Sequence, residues 1–389
     1  LADGVSALAD RGDRGCAKNE KNSRALDASR GGGVGGTRLA LQPREPPPAK
    51  SPAPSAAIDP GPEIACVTVP FALPEPARHL AAPVEPAAGA GPLSRSRWLD
   101  AIGWTPAHRA LSRGRRVGLV DRAVDPTSPL LPGGARVLRY RFAEDGLPER
   151  DGSPGDGQDH GTRSAAAILA VAPEAELHAF ALPAAFRRGA GSPLALVVAI
   201  CELARRGVDV ICVNASSRRV AGFVNAHAAP EAAIDALRGH LAELDYYRAV
   251  GQLLATSIVD APLIVAGTGN DSRPGIRLPA SQPAASWGAV AVGALDREHA
   301  VSAYSHGGAH LVAPGDVALD DRGQPFRGTS AAAAITAGAA ALWAGRLGLD
   351  GDRERLRAHL IAHARRDRVA GEPDSDDVGA GVVQVPPLP

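Results

Sequence analysis

"RVGLVDRAVD", residues 116–125, begins as an almost unbroken apolar run and stops on a carboxylate, Asp121. A strand covered on both faces reads this way, because neither face needs the polar residues that an exposed face would. Four more runs share the texture: "AELHAFAL" (175–182), "VDVICVN" (208–214), "PLIVAG" (262–267) and "GAVAVGA" (288–294). Between them lie helical patterns, "HGTRSAAAILA" (160–170), "SPLALVVAICELARRG" (192–207) and a long segment at 231–258. Strand alternating with helix predicts an α/β fold, a mainly parallel twisted sheet with helices on both faces. "DRERLRAHLIAHARR" (352–366) places Leu356, Leu360 and Ile361 at helical spacing among charges, and is expected to close the domain as a surface helix.

This texture starts near Trp98. Before it, residues 1–30 are polar, "GGGVGG" follows at 31–36, and Pro43 to Pro92 holds 14 of the chain's 34 prolines. Such a segment cannot offset its ordering entropy by burial, so 1–95 is predicted to be a mostly disordered, low-complexity extension and 96–386 the folded domain. Within the extension only "EIACVTVPFAL" (63–73) has strand character, limited to an edge by Pro70.

The 42 basic residues balance 42 acidic ones, giving no net field to draw nucleic acid or an anionic membrane. No run of eighteen apolar residues suggests a membrane span, and the first thirty residues lack the apolar core of a secretory signal. The chain opens on Leu1 and contains no Met, so its compartment is left open. Cys16, Cys66, Cys201 and Cys212 fit no metal or disulfide spacing; the last two sit in apolar stretches and are expected as structural thiols close together in the core.

Ligand sites of open parallel sheets form at the carboxyl ends of the strands. Asp121 ends its strand there, His160 stands where a helix opens, and Ser330 in "FRGTSAAAA" stands where another opens. A Ser hydroxyl attacks only when a base takes its proton, and the base needs a third group to fix its tautomer. Asp, His and Ser supply these roles. The helix N-terminus behind Ser330 adds unsatisfied N–H groups suited to an oxyanion, and Asn270 in "IVAGTGNDS" supplies a neutral amide as a second donor.

With these residues in hand, the chain from about 98 to 346 resembles the subtilisin-like (subtilase) serine peptidases, whose functional residues follow the order Asp, His, Asn, Ser. The segments that carry the resemblance are "VGLVDRAVDPTSPLL", "HGTRSAAAILAVAPEAEL", "GVDVICVNAS", "PLIVAGTGN", "LPAS", "GAVAVGALD", "HLVAPG" and "GTSAAAAITAG". The resemblance implies a serine endopeptidase in which Asp121 orients the base, His160 is base and then acid, Ser330 is the nucleophile and Asn270 an oxyanion donor. It further implies that Asn214, Ala215 and Ser216 pair with an extended substrate, and that Gly267, Thr268 and Gly269 line the specificity pocket. The expected partner is a peptide or protein, the expected state a monomer. No cofactor is required; calcium is common in the family, but no ligand set can be matched in this sequence.

Two departures qualify the expectation. Arg122 and Ala123 follow Asp121 where the family has a small hydroxyl residue and Gly, and a direct Arg122–Asp121 pair would pull the carboxylate from His160. Ala331, Ala334 and Ile335 replace the Met, Pro and His usual behind the nucleophile, a change a helix tolerates. The alternative reading is therefore a catalytically impaired subtilase-fold peptide binder; a serine esterase or acyl transferase is a third. Residues 217–258 look like an insertion beside the cleft, compatible with a specialised peptide-processing protease. "GGGVGG" lacks the strand and helix of a dinucleotide site and reads as linker. His306 and His310 in "HGGAH" read as a turn rather than a zinc helix. "EDGLPERDGSPGDGQD" (144–159) reads as a solvated loop, and Tyr246 and Tyr247 as packing residues.

Overall fold

The computed structural model describes residues 91–153, 159–183, 193–215, 261–286, 288–349 and 352–388, with residues 234, 241 and 245 as isolated helical positions. All lie in the unit His79–Pro389. The 1–90 extension, Ser216, Tyr246, Tyr247 and nearly all of 217–258 fall outside the described residues.

The sheet grows from the opening run. Strand β1 (Arg116–Asp121) is buried at every position after the first. It is flanked in parallel by β4 (Glu176–Ala181) and β5 (Val210–Val213), with Asp121 opposite Ala181 and Val120 opposite Val213. Five further strands complete the sheet: β2 (Arg136–Phe142), β3 (Pro148–Arg150), β6 (Leu263–Gly267), β7 (Ala289–Leu295) and β8 (Leu311–Pro314). The eight strands run β3-β2-β4-β1-β5-β6-β7-β8, all parallel except β3. The chain first builds outward on the β4 side of β1 and then crosses to the β5 side, so the crevice beyond the carboxyl end of β1 is a topological switch point.

Both faces are covered, as the apolar runs require. Val117 and Leu119 of β1 join a cluster with α2 (Asp159–Val171) and α4 (Thr329–Leu347). Val120 joins a cluster on the other face with α3 (Pro193–Arg205). Cys212 belongs to the first cluster and Cys201 packs against the second, so the two free thiols lie on opposite faces rather than side by side. Period-two alternation along β5 and the position of α3 make that separation unavoidable.

Helix α4 carries the segment that begins with Ser330 through the core. Every residue from Ala331 to Ala344 is buried, and Gly338 is where α4 crosses α2: a Cβ there would lie 2.7 Å from Val171 Cβ and 3.0 Å from the Ile168 carbonyl. Small side chains thus let the helix axis approach α2 more closely than Leu or Val would. The helix ends on Gly348 in the left-handed conformation. A ribbon of β9 (Asp316–Ala318) and β10 (Pro325–Arg327), with Arg327 opposite Asp316, leads directly into its first turn.

Four elements depart from the sequence expectation. Strand β2, "RVLRYRF", went unread because its arginines interrupt the apolar pattern. Part of the acidic loop is strand β3, antiparallel to β2, and Asp151 in that loop is nearly buried, accepting from Ser153 and pairing with Arg139 at 3.8 Å. Its proline stands at the first position of an edge strand, where no ladder N–H is needed. Helix α1 (Arg95–Ala101) is only seven residues long, too short for its period to register. The C-terminal helix, α5 (Arg353–Ala362), is capped by Asp352 and buries Leu356 and Leu360, but it stops at Ala362, giving way to a short 3-10 turn at Arg366–Arg368. Arg365 leaves the helical pattern because its backbone pairs with Val382 in both directions.

Candidate active site

Asp121 sits at the end of a buried strand, 3% exposed, so its charge depends on directed donors. It has three. His160 Nδ1 lies 2.8 Å from Oδ1 and 3.0 Å from Oδ2. The Arg122 backbone N–H donates to Oδ1 at 2.6 Å, and Ser164 Oγ donates to Oδ2 at 2.6 Å. The contact from Arg122 is therefore made by its amide; its exposed side chain points into a neighbouring cavity that His160 also lines. Gly161 permits the approach of α2 to this turn, since a Cβ there would collide with the Arg122 carbonyl.

His160 begins α2, and its ring meets Phe326 edge-on at 5.5 Å. The Asp121 carboxylate raises the imidazole pKa above its ordinary value; burial and the Arg122 and Arg163 cations oppose this. With Nδ1–H given to Asp121, Nε2 is the nitrogen left to accept a proton.

Ser164, one helical turn after His160 and fully buried, was not singled out from sequence. It also accepts from Asn214 Nδ2 at 2.8 Å, and the same Nδ2 reaches the Ser330 carbonyl at 3.2 Å. The carboxamide of Asn214 is thus turned inward to join the His160 helix to the Ser330 helix, while its backbone N–H continues the ladder to Val120 O. Ala215 packs against the α3-side cluster.

Ser330 is in the first turn of α4, preceded by Gly328 at φ 125°. Among the described residues its Oγ makes no hydrogen bond to His160. Asn270 follows β6. Its Oδ1 accepts from the Thr329 N–H at 2.8 Å and from Thr329 Oγ1 at 3.2 Å. An oxygen held by two donors fixes the amide orientation and leaves Nδ2 as the outward end, beside a first turn of α4 whose Thr329 and Ala331 amides are already bonded to Asn270 and Gly328. Thr329 Oγ1 also accepts from Gly269 N at 3.3 Å.

Gly267, Thr268 and Gly269 form a backbone cradle for this arrangement. Gly267 abuts Thr329, where a Cβ would lie 2.7 Å from Oγ1. Thr268 is fully buried and donates to the His306 carbonyl at 3.1 Å, so it presents no side chain to solvent. Gly269, at φ 129°, leaves room for the His306 ring. That ring accepts from the Asp271 N–H at 2.9 Å and contacts the Pro279 carbonyl at 3.0 Å, and burial lowers its pKa. His306 is a support for the Asn270 turn; His310 accepts from Ala291 N. Among the described residues no three His, Cys, Asp or Glu side chains gather as a metal site.

Comparison with known proteins agrees with the architecture. The profile of the "Subtilase family" of peptidases (Peptidase S8) matches residues 112–381, and the chain belongs to that family. Among solved structures it is similar to one described as a lanthipeptide protease, with 21% identity, a TM-score of 0.52, and coverage of 74% of this chain and 93% of that one. It is also similar to the epidermin leader peptide processing serine protease of Staphylococcus aureus, with 17% identity, a TM-score of 0.50, and coverage of 74% and 78%. Comparison with curated proteins finds no match.

Proposed function

We propose that this subtilase is a serine endopeptidase that cleaves through an acyl-enzyme on Ser330, with one defined precursor peptide as its substrate. The observation that carries the reading is the Asp121–His160 pair, 2.8 Å apart, with the carboxylate held by donors other than the Arg122 guanidinium. Ser330 Oγ attacks the scissile carbonyl as His160 Nε2 takes its proton, and the Asp121 carboxylate stabilises the imidazolium. The oxyanion receives the Ser330 N–H and Asn270 Nδ2. His160 then protonates the departing amine, and water, activated by the same nitrogen, releases the acyl half. Hydrogen bonds of catalytic pairs are often long without substrate and tighten in the Michaelis complex, so the reading does not need a His160–Ser330 bond in the unliganded chain.

The precursor substrate is suggested by the descriptions of the two similar structures, a lanthipeptide protease and a leader peptide processing protease. Reaction of the folded chain with a fluorophosphonate tests the peptidase reading. Labelling confined to Ser330, and lost in Ser330→Ala, is expected. Absence of labelling, both in the full chain and after limited proteolysis of residues 1–95, would favour the peptide binder instead.

A further inference from the structure

Beside His160 lies a cavity of about 500 Å³ that the reaction above does not use. Its lining is Arg122, Arg163, Arg327, Asp316, Pro325 and Phe326 together with the His160 ring. Among the described residues, Arg122 and Arg327 thus bring two cations to a lining that holds one carboxylate, in a chain whose net formal charge is zero. Arg122 and Arg327 are exposed and form no ion pair among the described residues; Arg327 leans on the Tyr304 ring, 5.0 Å from its centroid. The floor is apolar, with Phe326 held edge-on to His160.

We propose that this cavity is a specificity subsite for a Glu or Asp side chain in the leaving half of the substrate, the residue first or second after the scissile bond. This rests on the peptidase reading. The departing amine takes its proton from His160, so the leaving half passes the imidazole that lines this cavity. The cavity is lined by His160 and by Arg122, the residue after β1, and by no residue of β5, β6 or the segments after them that carry Asn214 and Asn270. The chemistry is complementary. The methylenes of a Glu lie on Pro325 and Phe326, and its carboxylate meets planar donors suited to two parallel hydrogen bonds. Arg122 thereby acquires a use: the residue that departs from the family beside Asp121 directs its amide to the carboxylate and its guanidinium to the substrate.

The experiment uses the full chain and a random-sequence peptide pool, with cut sites read by mass spectrometry. Asp and Glu are expected roughly tenfold over Asn and Gln at the first or second position after the cut, the size of a charge-assisted pair. Combined R122E and R327E should move the preference to Lys and Arg, and the single Arg327→Gln should reduce the acidic ratio without reversing it. Fluorophosphonate labelling reports whether each variant keeps its fold. A flat distribution in the parent chain, or one that the charge reversals leave unchanged, overturns the proposal. The same pool is panned on immobilised Ser330→Ala chain. Equal recovery of acidic and neutral peptides there overturns the subsite whether or not any bond is cut. Acidic enrichment without labelling of Ser330 in the parent overturns the peptidase reading and upholds the subsite.

Discussion

Ser164 Oγ, one turn along α2 from His160, donates to the far oxygen of Asp121 at 2.6 Å. The hydroxyl holds the carboxylate in the plane that His160 needs, and through Asn214 it is tied to the Ser330 carbonyl. A hydrogen bond to a charged group contributes about 1.5–3 kcal/mol. Ser164→Ala is therefore expected to lower kcat roughly ten- to hundredfold on a cleaved peptide, with KM little changed. Steady-state kinetics decide the matter, and a wild-type kcat would mean that Asp121 is positioned without this hydroxyl.

Asn270 has two separable functions, since Oδ1 receives Thr329 while Nδ2 faces outward. Loss of one oxyanion donor costs about 2.7–4 kcal/mol of transition-state stabilisation, roughly 10²–10³ in kcat. Asn270→Ala and Asn270→Asp should both show this loss, although Asp retains an acceptor for Thr329. An Asn270→Asp enzyme with parental kcat would remove Asn270 from the oxyanion site.

The pH profile has a definite sign. His160 must be neutral to accept a proton, so activity falls as pH drops through its pKa. Asp121 raises that pKa, while the Arg122 and Arg163 charges lower it. Arg122→Gln removes one opposing cation and should move the acid limb of kcat/KM to higher pH. A shift in the opposite direction, measured at constant ionic strength, would contradict the electrostatic assignment.

Gly269 stands at φ 129° with the His306 ring where a Cβ would go. Gly269→Ala combines backbone strain with overpacking, each of which costs about 1–3 kcal/mol. Lower stability in urea and loss of activity are expected together, because the same turn carries Asn270. Full activity at parental stability would show that the turn can yield at no cost.

The alternation of buried strands and helices, and with it the parallel sheet, was legible because it depends on local patterns, as were the polar residues stranded at the carboxyl ends of the runs. Asp121, His160, Asn270 and Ser330 stood out as exceptions to apolar surroundings. Ser164 did not, though its spacing of four from His160 put it on the same helical face; a Ser among alanines carries no such contrast. Strand β2 was hidden for the converse reason, its arginines at 136, 139 and 141 masking an edge-side strand. The family resemblance makes Asn214 a substrate contact, and only the fold shows its carboxamide turned inward. Side-chain direction at a strand terminus depends on which neighbours arrive from elsewhere in the chain.

Helix α4 is built mostly of alanine, and its packing makes it among the least replaceable elements described. With Ala331 to Ala344 buried and Gly338 against α2, an added methyl group on the contact face acts as a spacer. A spacer there tilts a rigid rod whose other end carries Ser330, so substitutions two to four turns away would be felt as errors of aim. What these alanines specify is length, and attempts to improve the enzyme by filling its core would degrade its alignment first.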